Sequence, residues 1–209
     1  MLFIRMMAGI RALAPAHIPR SMNVHSLPNM FHVPPLGQSS PTHVLAIVSS
    51  KTSSDQAFLF PVHDVVLVTH CHAIRLPPRN TSLPVVRIAL PSYHAFSILH
   101  TFMYGHRLDH VLGSLLPLPV DILQSLASHH TVIETKHSSS RVDKIASHLC
   151  SYENADLSGL MKHVAHLKDM WQCMVITGMY MLDLWDTLDL AWDVVLYALT
   201  QATRIHNSL

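Results

Sequence analysis

The sequence predicts an α+β protein in which a helical cluster with a small sheet precedes a C-terminal pair of α-helices. Short β-rich runs lie in the first half of the chain, between segments whose apolar residues recur at helical spacing. From Leu157 to Leu199 the apolar side chains follow at steps of three and four, which is the period of a helix. With 209 residues, of which 49% are apolar, the chain is long enough for one domain of good size or for a small domain with an extension.

Four segments are expected along the chain. The first of them is rich in proline, which fixes φ and lacks a backbone donor, so it interrupts any long helix or strand. The predicted segments are a flexible leader at 1–41, a helical cluster with a small sheet at 42–136, a linker with a short helix at 137–155, and a helical pair at 156–209.

The leader and the cysteines bear on where the protein resides. The opening MLFIRMMAGIRALAPA is apolar, carries arginine and lacks acidic residues; these features are also typical of a mitochondrial presequence, so a mitochondrial helical protein stays the alternative to a flexible lead-in. Three cysteines without a CxxC spacing favour a reducing compartment, and we expect the nucleus, the cytoplasm or both. No uncharged apolar run reaches the length of a membrane span.

The elements of the predicted first domain follow from short runs and the residues that end them. A β-rich run at Thr42–Ser49, a polar turn at Ser50–Asp55 and a second apolar run at Gln56–Phe60 predict a hairpin. A helix is expected after Pro61, within Phe60–Cys71, and three prolines make Leu76–Pro84 a loop. Val85–Leu90 is predicted as a strand, and Tyr93–Tyr104 as a helix that Ser92 caps and Gly105 ends.

Further helices are predicted after this domain core. Val120 to Ser128 and Val142–Leu149 have helical character, whereas Thr131–Lys136 is ambiguous between helix and other structure. Gly178 divides the long apolar stripe, because glycine is unfavourable inside a helix and common where helices end. We therefore expect two helices, at 156–177 and 182–203, whose apolar faces pack against each other or against the rest of the protein.

The apolar stripe of this helical pair carries all three tryptophans of the chain. Side chains of this size gain roughly 2–3 kcal/mol each on burial, so the stripe is expected to be a packing face. The core residues predicted here are Trp171, Trp185, Leu188 and Trp192.

Four aspartates form a second stripe on the last helix, flanking the apolar one. They follow at spacings of three, three and four, and no basic residue lies between Lys168 and Arg204, so their charge is expected to be uncompensated locally. This stripe is either a solvated face or a docking surface for a basic partner, such as the DNA-binding region of a transcription factor. The residues are Asp183, Asp186, Asp189 and Asp193.

No catalytic constellation is visible in the sequence. Neither a G-x-S-x-G elbow nor a glycine-rich phosphate loop is present, and adjacent residues such as His70, Cys71 and His72 cannot all reach one ion from a helix. His163 and His166 share a helix face, with His129, His130 or His148 as distant partners. We expect no enzyme, no cofactor and no bound metal; a histidine-based metal-binding or catalytic domain is the alternative.

Residues 42–109 contain three features in order: Phe60-x-x-His63 with Leu67 and Cys71, the strand Val85–Leu90, and the run Ala95-Phe96-x-x-Leu99-x-x-Phe102-Met103-Tyr104-Gly105. With these features, residues 42–109 resemble a BTB/POZ domain. The resemblance implies a cluster of helices flanked by short strands that binds other proteins, and the family's N-terminal dimerisation segment has no clear counterpart in the leader. It also implies structural core roles for His63, Leu67, Phe96, Leu99 and Tyr104.

Four motifs stand out in the second half of the chain: LPLP at 116–119, HVAHLKDMWQ at 163–172, TGMY at 177–180 and LWDTLDLAWDVVLYAL at 184–199. They are similar to motifs of the clampless protein family of basidiomycete fungi. The resemblance implies a regulator of sexual development that acts downstream of mating-type homeodomain proteins by engaging transcription factors or other regulatory proteins. No direct contact with nucleic acid and no membrane partner is expected, and self-association is left open.

Overall fold

The computed structural model describes residues 18–32, 40–51, 55–78 and 82–207, which contain five strands and eight helices. The chain forms two compact units. Among the described residues, the first comprises those up to residue 105 together with 172–180, and the second comprises 106–171 together with 181–207. The presequence hypothesis for residues 1–16 lies outside the described residues.

The first unit contains a five-stranded mixed sheet and two helices. The strand order is β1-β4-β3-β5-β2, with β3 antiparallel to β4 and parallel to β5. The predicted hairpin is therefore confirmed, and the strand predicted at Val85–Leu90 begins two residues earlier. The strands are β1 Ser21–Asn23, β2 Met30–Phe31, β3 His43–Ser49, β4 Gln56–Val62 and β5 Leu83–Leu90.

The continuous apolar run of β3 is explained by its central place in the sheet. Its residues from Val44 to Ile47 are buried on both faces, and strands covered on both faces carry apolar residues without alternation. The parallel pairing with β5 requires a crossover, which runs through helix α1 at Asp64–His70.

The residues before β3 are part of this sheet. β1 pairs with β4, and β2 pairs with β5. The eleven residues Ser21–Phe31 therefore form both edges of the sheet, and a 3-10 turn lies between the two edge strands. The expectation of a flexible leader therefore does not hold for residues 18–32, while 1–17 and 33–39 lie outside the described residues. The segment also completes a small buried apolar cluster of Ile18, Leu27, Val44, Ala46, Ala57, Leu59 and Leu83.

Helix α2, Tyr93–Gly105, confirms the helix predicted for this stretch and packs against α1 and β3. The buried phenol oxygen of Tyr104 accepts a hydrogen bond from the backbone N–H of His63 at 3.0 Å and lies 2.9 Å from its Nδ1. Leu67, Phe96 and Leu99 are also buried in the first unit, as expected.

A histidine of α2, His100, makes the stability of the first unit depend on pH. Its Nε2 lies 3.1 Å from the carbonyl oxygen of Pro61, and its ring centre is 5.4 Å from that of Phe60. Burial in these surroundings lowers the pKa of His100 from 6.5 to about 4. As the pH falls, His100 therefore binds a proton in the unfolded chain before it does so in the folded protein. Its contribution to stability is complete above pH 6.5 and is lost as the pH falls towards 4.

We expect the first unit to lose about 1–3 kcal/mol of unfolding free energy through His100 between these two pH values. Urea unfolding at pH 7.5 and pH 4.5 measures the loss, and His100→Gln should reduce it. The exposed neighbour His94 supplies the control, since His94→Gln should retain the wild-type pH dependence. Equal losses in wild type and His100→Gln would contradict this assignment.

The predicted corner after residue 177 belongs to the first unit and requires glycine. Gly178 has φ +67°, and a Cβ at this position would lie 2.8 Å from the backbone nitrogen of Ala73. Its carbonyl oxygen accepts a hydrogen bond from His72, and the next residue, Met179, forms a β-bridge with Cys71. These contacts attach residues 172–180 to the end of α1.

All the regular secondary structure in the described residues of the second unit is helical. The two long helices confirm those predicted at 156–177 and 182–203, and Thr131–Lys136, which the sequence left ambiguous, is helical. The helices are α3 Leu108–Leu115, α4 Val120–Ser125, α5 His129–Lys136, α6 Ser139–Tyr152, α7 Leu157–Thr177 and α8 Leu182–Asn207. The last six residues of α7 belong to the first unit.

The last helix does not use its predecessor as its main packing partner. Helix α8 packs chiefly against α6, α5 and α3. The apolar faces of the two long helices were expected to pack either against each other or against the rest of the protein. Helix α8 adopts the second arrangement. Among the described residues, no helix has the length and apolar character needed to cross a bilayer.

Candidate docking surface

Helix α8 has an inner face that combines large and small side chains. These residues are fully buried and follow at spacings of four, three, four and three, so they form one stripe. The alanines lack the bulk that would keep neighbouring helices apart, which suits this face to close packing. The inner α8 face consists of Leu184, Leu188, Ala191, Val195 and Ala198.

The opposite side of the same helix exposes apolar residues. Leu182 and Leu196 are exposed, the latter to 51%, and Trp185 and Trp192 are half-buried between them. Together with Asp189 they follow at spacings of three, four, three and four, and we call these five residues the outer α8 face.

The placement of the tryptophans corrects the predicted core. Trp171 of helix α7 is 47% exposed, so it is not a core residue. Trp185 and Trp192 border the core from the outer side, whereas Leu188 is buried as expected. The stripe read from the sequence thus lies at the edge of the packing face.

The acidic stripe on α8 is partly compensated by helix α5. Lys136 Nζ lies 3.1 Å from Asp186 Oδ1 and 2.7 Å from Asp189 Oδ2, and His129 Nε2 lies 2.8 Å from Asp186 Oδ2. The expectation that the charge of the stripe is uncompensated locally is therefore wrong for Asp186 and Asp189. His129 and Lys136 are seven residues apart on one helix face, a spacing that could have indicated a basic surface suited to an acidic helix.

These contacts give the aspartates different roles. Burial acts to raise the pKa of Asp186, but the hydrogen bonds with His129 and Lys136 outweigh it and hold the pKa below its usual value. Burial raises the pKa of Asp193. The Asp189 side chain remains 57% exposed despite its contact with Lys136, whereas that of Asp186 is 14% exposed. Asp186 is thus a structural acid, and Asp189 is available to a partner.

We expect Asp186→Asn to destabilise the second unit by about 1–2 kcal/mol, because a mostly buried carboxylate with two charged or polar partners is replaced by a neutral amide. Urea unfolding measures the effect, with Asp121→Asn on the exposed side of α4 as the near-neutral control. An unchanged midpoint for Asp186→Asn would show that the α5 contacts contribute little.

The histidines and cysteines considered for metal binding or catalysis contact protein groups. His70 Nδ1 lies 2.7 Å from the carbonyl oxygen of Val66, and His163 Nε2 lies 2.9 Å from Glu153 Oε1. Within the described ranges, no group of three or more potential ligands is placed to hold a metal ion. Burial raises the pKa of the Cys71 thiol to about 12, so this sulfur is not a thiolate at neutral pH.

The fold and the outer α8 face define an α+β protein of two compact units with a tryptophan-bearing helical surface. The chain belongs to the clampless protein family, since the model of the Clampless protein 1 N-terminal domain matches residues 2–91 and that of the Clampless protein 1 C-terminal domain matches residues 109–209. This membership links the protein to clamp formation in fungal sexual development. No curated protein and no solved structure matches the chain, and the BTB/POZ resemblance stays a prediction.

Proposed function

We propose that the protein is a non-enzymatic interaction module that serves clamp formation by binding transcription factors or other regulatory proteins in the nucleus, the cytoplasm or both. The observation that carries the proposal is the outer α8 face, on which two half-buried tryptophans lie between two exposed leucines. Tryptophan is enriched among the residues that contribute most to protein–protein binding.

The charge of this surface selects the kind of partner. The four aspartates of the acidic stripe and the single lysine of α5 leave a net charge of −3 when His129 is neutral. A partner surface that presents lysine or arginine around apolar side chains fits this arrangement, as the DNA-binding region of a transcription factor does. Such complementarity acts mainly on the association rate, and salt screens it over about 8–10 Å.

Complementation of a strain that lacks the gene tests the proposal. A double variant, Leu182→Ser with Leu196→Ser, removes exposed apolar side chains and should fold normally but fail to restore clamp formation. The matched control is Val120→Ser with Tyr152→Ser, which removes two exposed apolar side chains elsewhere in the second unit. Clamp formation by the outer-face variant, at wild-type protein level, would contradict the proposal.

Binding kinetics with a purified basic regulatory partner test the electrostatic part. We expect Asp189→Asn to slow association and to flatten the dependence of the association rate on ionic strength, while Asp121→Asn leaves both unchanged. An association rate for Asp189→Asn equal to that of wild type at every salt concentration would make the acidic stripe a solvated face.

A further inference from the structure

Helix α7 carries an exposed apolar stripe of its own within the second unit. Leu157, Met161 and Trp171 are exposed, Val164 is half-buried, and Lys168 is the exposed charged residue among them. Their spacings of four, three, four and three place all five on one face of the helix. We call these residues the outer α7 face.

The outer faces of α7 and α8 match in length and spacing. Each extends over fourteen residue steps, which is about 21 Å along a helix. The outer α8 face, followed backwards from Leu196 to Leu182, has the same spacings as the outer α7 face followed forwards. Two such helices placed antiparallel bring apolar residue opposite apolar residue at both ends, with Leu157 beside Leu196 and Trp171 beside Leu182.

The two faces also differ in charge in a complementary way. In the antiparallel alignment Lys168 lies opposite Trp185, with Asp189 one helical turn away. A lysine over an indole ring gains a cation–π interaction, and the nearby carboxylate adds an attractive ion pair. The surroundings of Asp189 carry the net negative charge described above, so a positive charge is favoured there.

We propose that the outer α7 face of one molecule docks antiparallel on the outer α8 face of a second copy of this chain. One contact of this length buries less surface than a stable interface requires, so association should be weak and concentration-dependent. This proposal goes beyond the proposed function but uses the same α8 surface. Self-association and binding of a basic regulatory partner therefore exclude each other.

A charge exchange tests this pairing with the purified full-length chain. Sedimentation equilibrium over a wide concentration range should show wild-type self-association, and Lys168→Asp or Asp189→Lys should each weaken it by about tenfold or more, because each places like charges together. Mixing the two variants in equal amounts should restore association, since each then meets an opposite charge. The double variant should associate with itself for the same reason.

Controls separate this pairing from general charge effects and from misfolding. Lys144→Asp on α6 and Asp121→Lys on α4 make the same changes at exposed sites off both faces and should retain wild-type association. Met161→Asp, with its side chain exposed, should abolish association while leaving the helical circular dichroism unchanged. The proposal would be overturned if the wild type is monomeric, or if mixing the two variants does not restore association. The outer α7 face would then be left to a different partner.

The proposed function and the self-association can fail separately. A monomeric protein whose clamp formation still depends on Leu182 and Leu196 would overturn only the self-association. A protein that self-associates as proposed but complements without these leucines would overturn only the regulatory role of the outer α8 face.

Discussion

Leu188→Asp is expected to unfold the second unit under conditions in which the wild-type protein is folded. Leu188 is 1% exposed and lies on the inner α8 face, on the helix that packs against α6, α5 and α3. An unpaired carboxylate in such an interior costs roughly 4–5 kcal/mol or more, counting the lost apolar burial. Because domains are stable by only about 5–15 kcal/mol, this single change removes a third or more of the unfolding free energy, and nearly all of it in a domain at the lower end of that range.

The same helix supplies the matched control. Leu196→Asp makes an identical chemical change on the outer α8 face, where the side chain is 51% exposed, and should shift stability by less than about 1 kcal/mol. Thermal unfolding followed by circular dichroism distinguishes the two variants. If Leu188→Asp has the wild-type melting temperature and Leu196→Asp has a lower one, the inner and outer faces of α8 have been assigned the wrong way round.

Leu27→Asp is expected to have a similarly large effect on the first unit. Leu27 lies between β1 and β2, is 6% exposed and belongs to the buried cluster that includes Val44 and Leu59. Burying a carboxylate there should cost about 3–4 kcal/mol. The segment would then lose its apolar anchor, and the outer sides of β4 and β5 would lose their pairing.

Urea unfolding of the first unit measures this cost. The adjacent Ser26→Asp is the control, because Ser26 is exposed and the same charge is introduced one residue away. Limited proteolysis gives a second readout, since a released segment should be cleaved near Asn29. Wild-type stability and wild-type protease resistance in Leu27→Asp would show that residues 18–32 do not belong to the folded unit.

Much of the fold could be predicted because its signals are local. The hairpin of β3 and β4, the helix after Ser92 and the break at Gly178 each follow from a short run of residues with its own period or end signal. Pairings between distant segments leave no such signal. The strands β1 and β2 contain only three and two residues, and their pairing with β4 and β5 depends on tertiary contacts.

The errors at the candidate site have the same origin. Helical spacing located the apolar stripe of α8 to within about one residue, but only packing decides which edge of it is covered. The small side chains of Ala191 and Ala198 admit neighbouring helices, so the core lies on their side and the tryptophans remain at the border. Lys136 is fifty positions from Asp186, and its contact could not be inferred from charges within one helix.

The bridge between Cys71 and Met179 bears on how the chain folds as it leaves the ribosome. The first unit includes residues 172–180, so it stays incomplete until synthesis has passed through most of the second unit. At roughly 5–20 residues per second, the sheet and its helices wait several seconds for their last segment. During that interval the end of α1 lacks its contacts with residues 177–179, so we expect it to stay accessible until the second unit is largely synthesised.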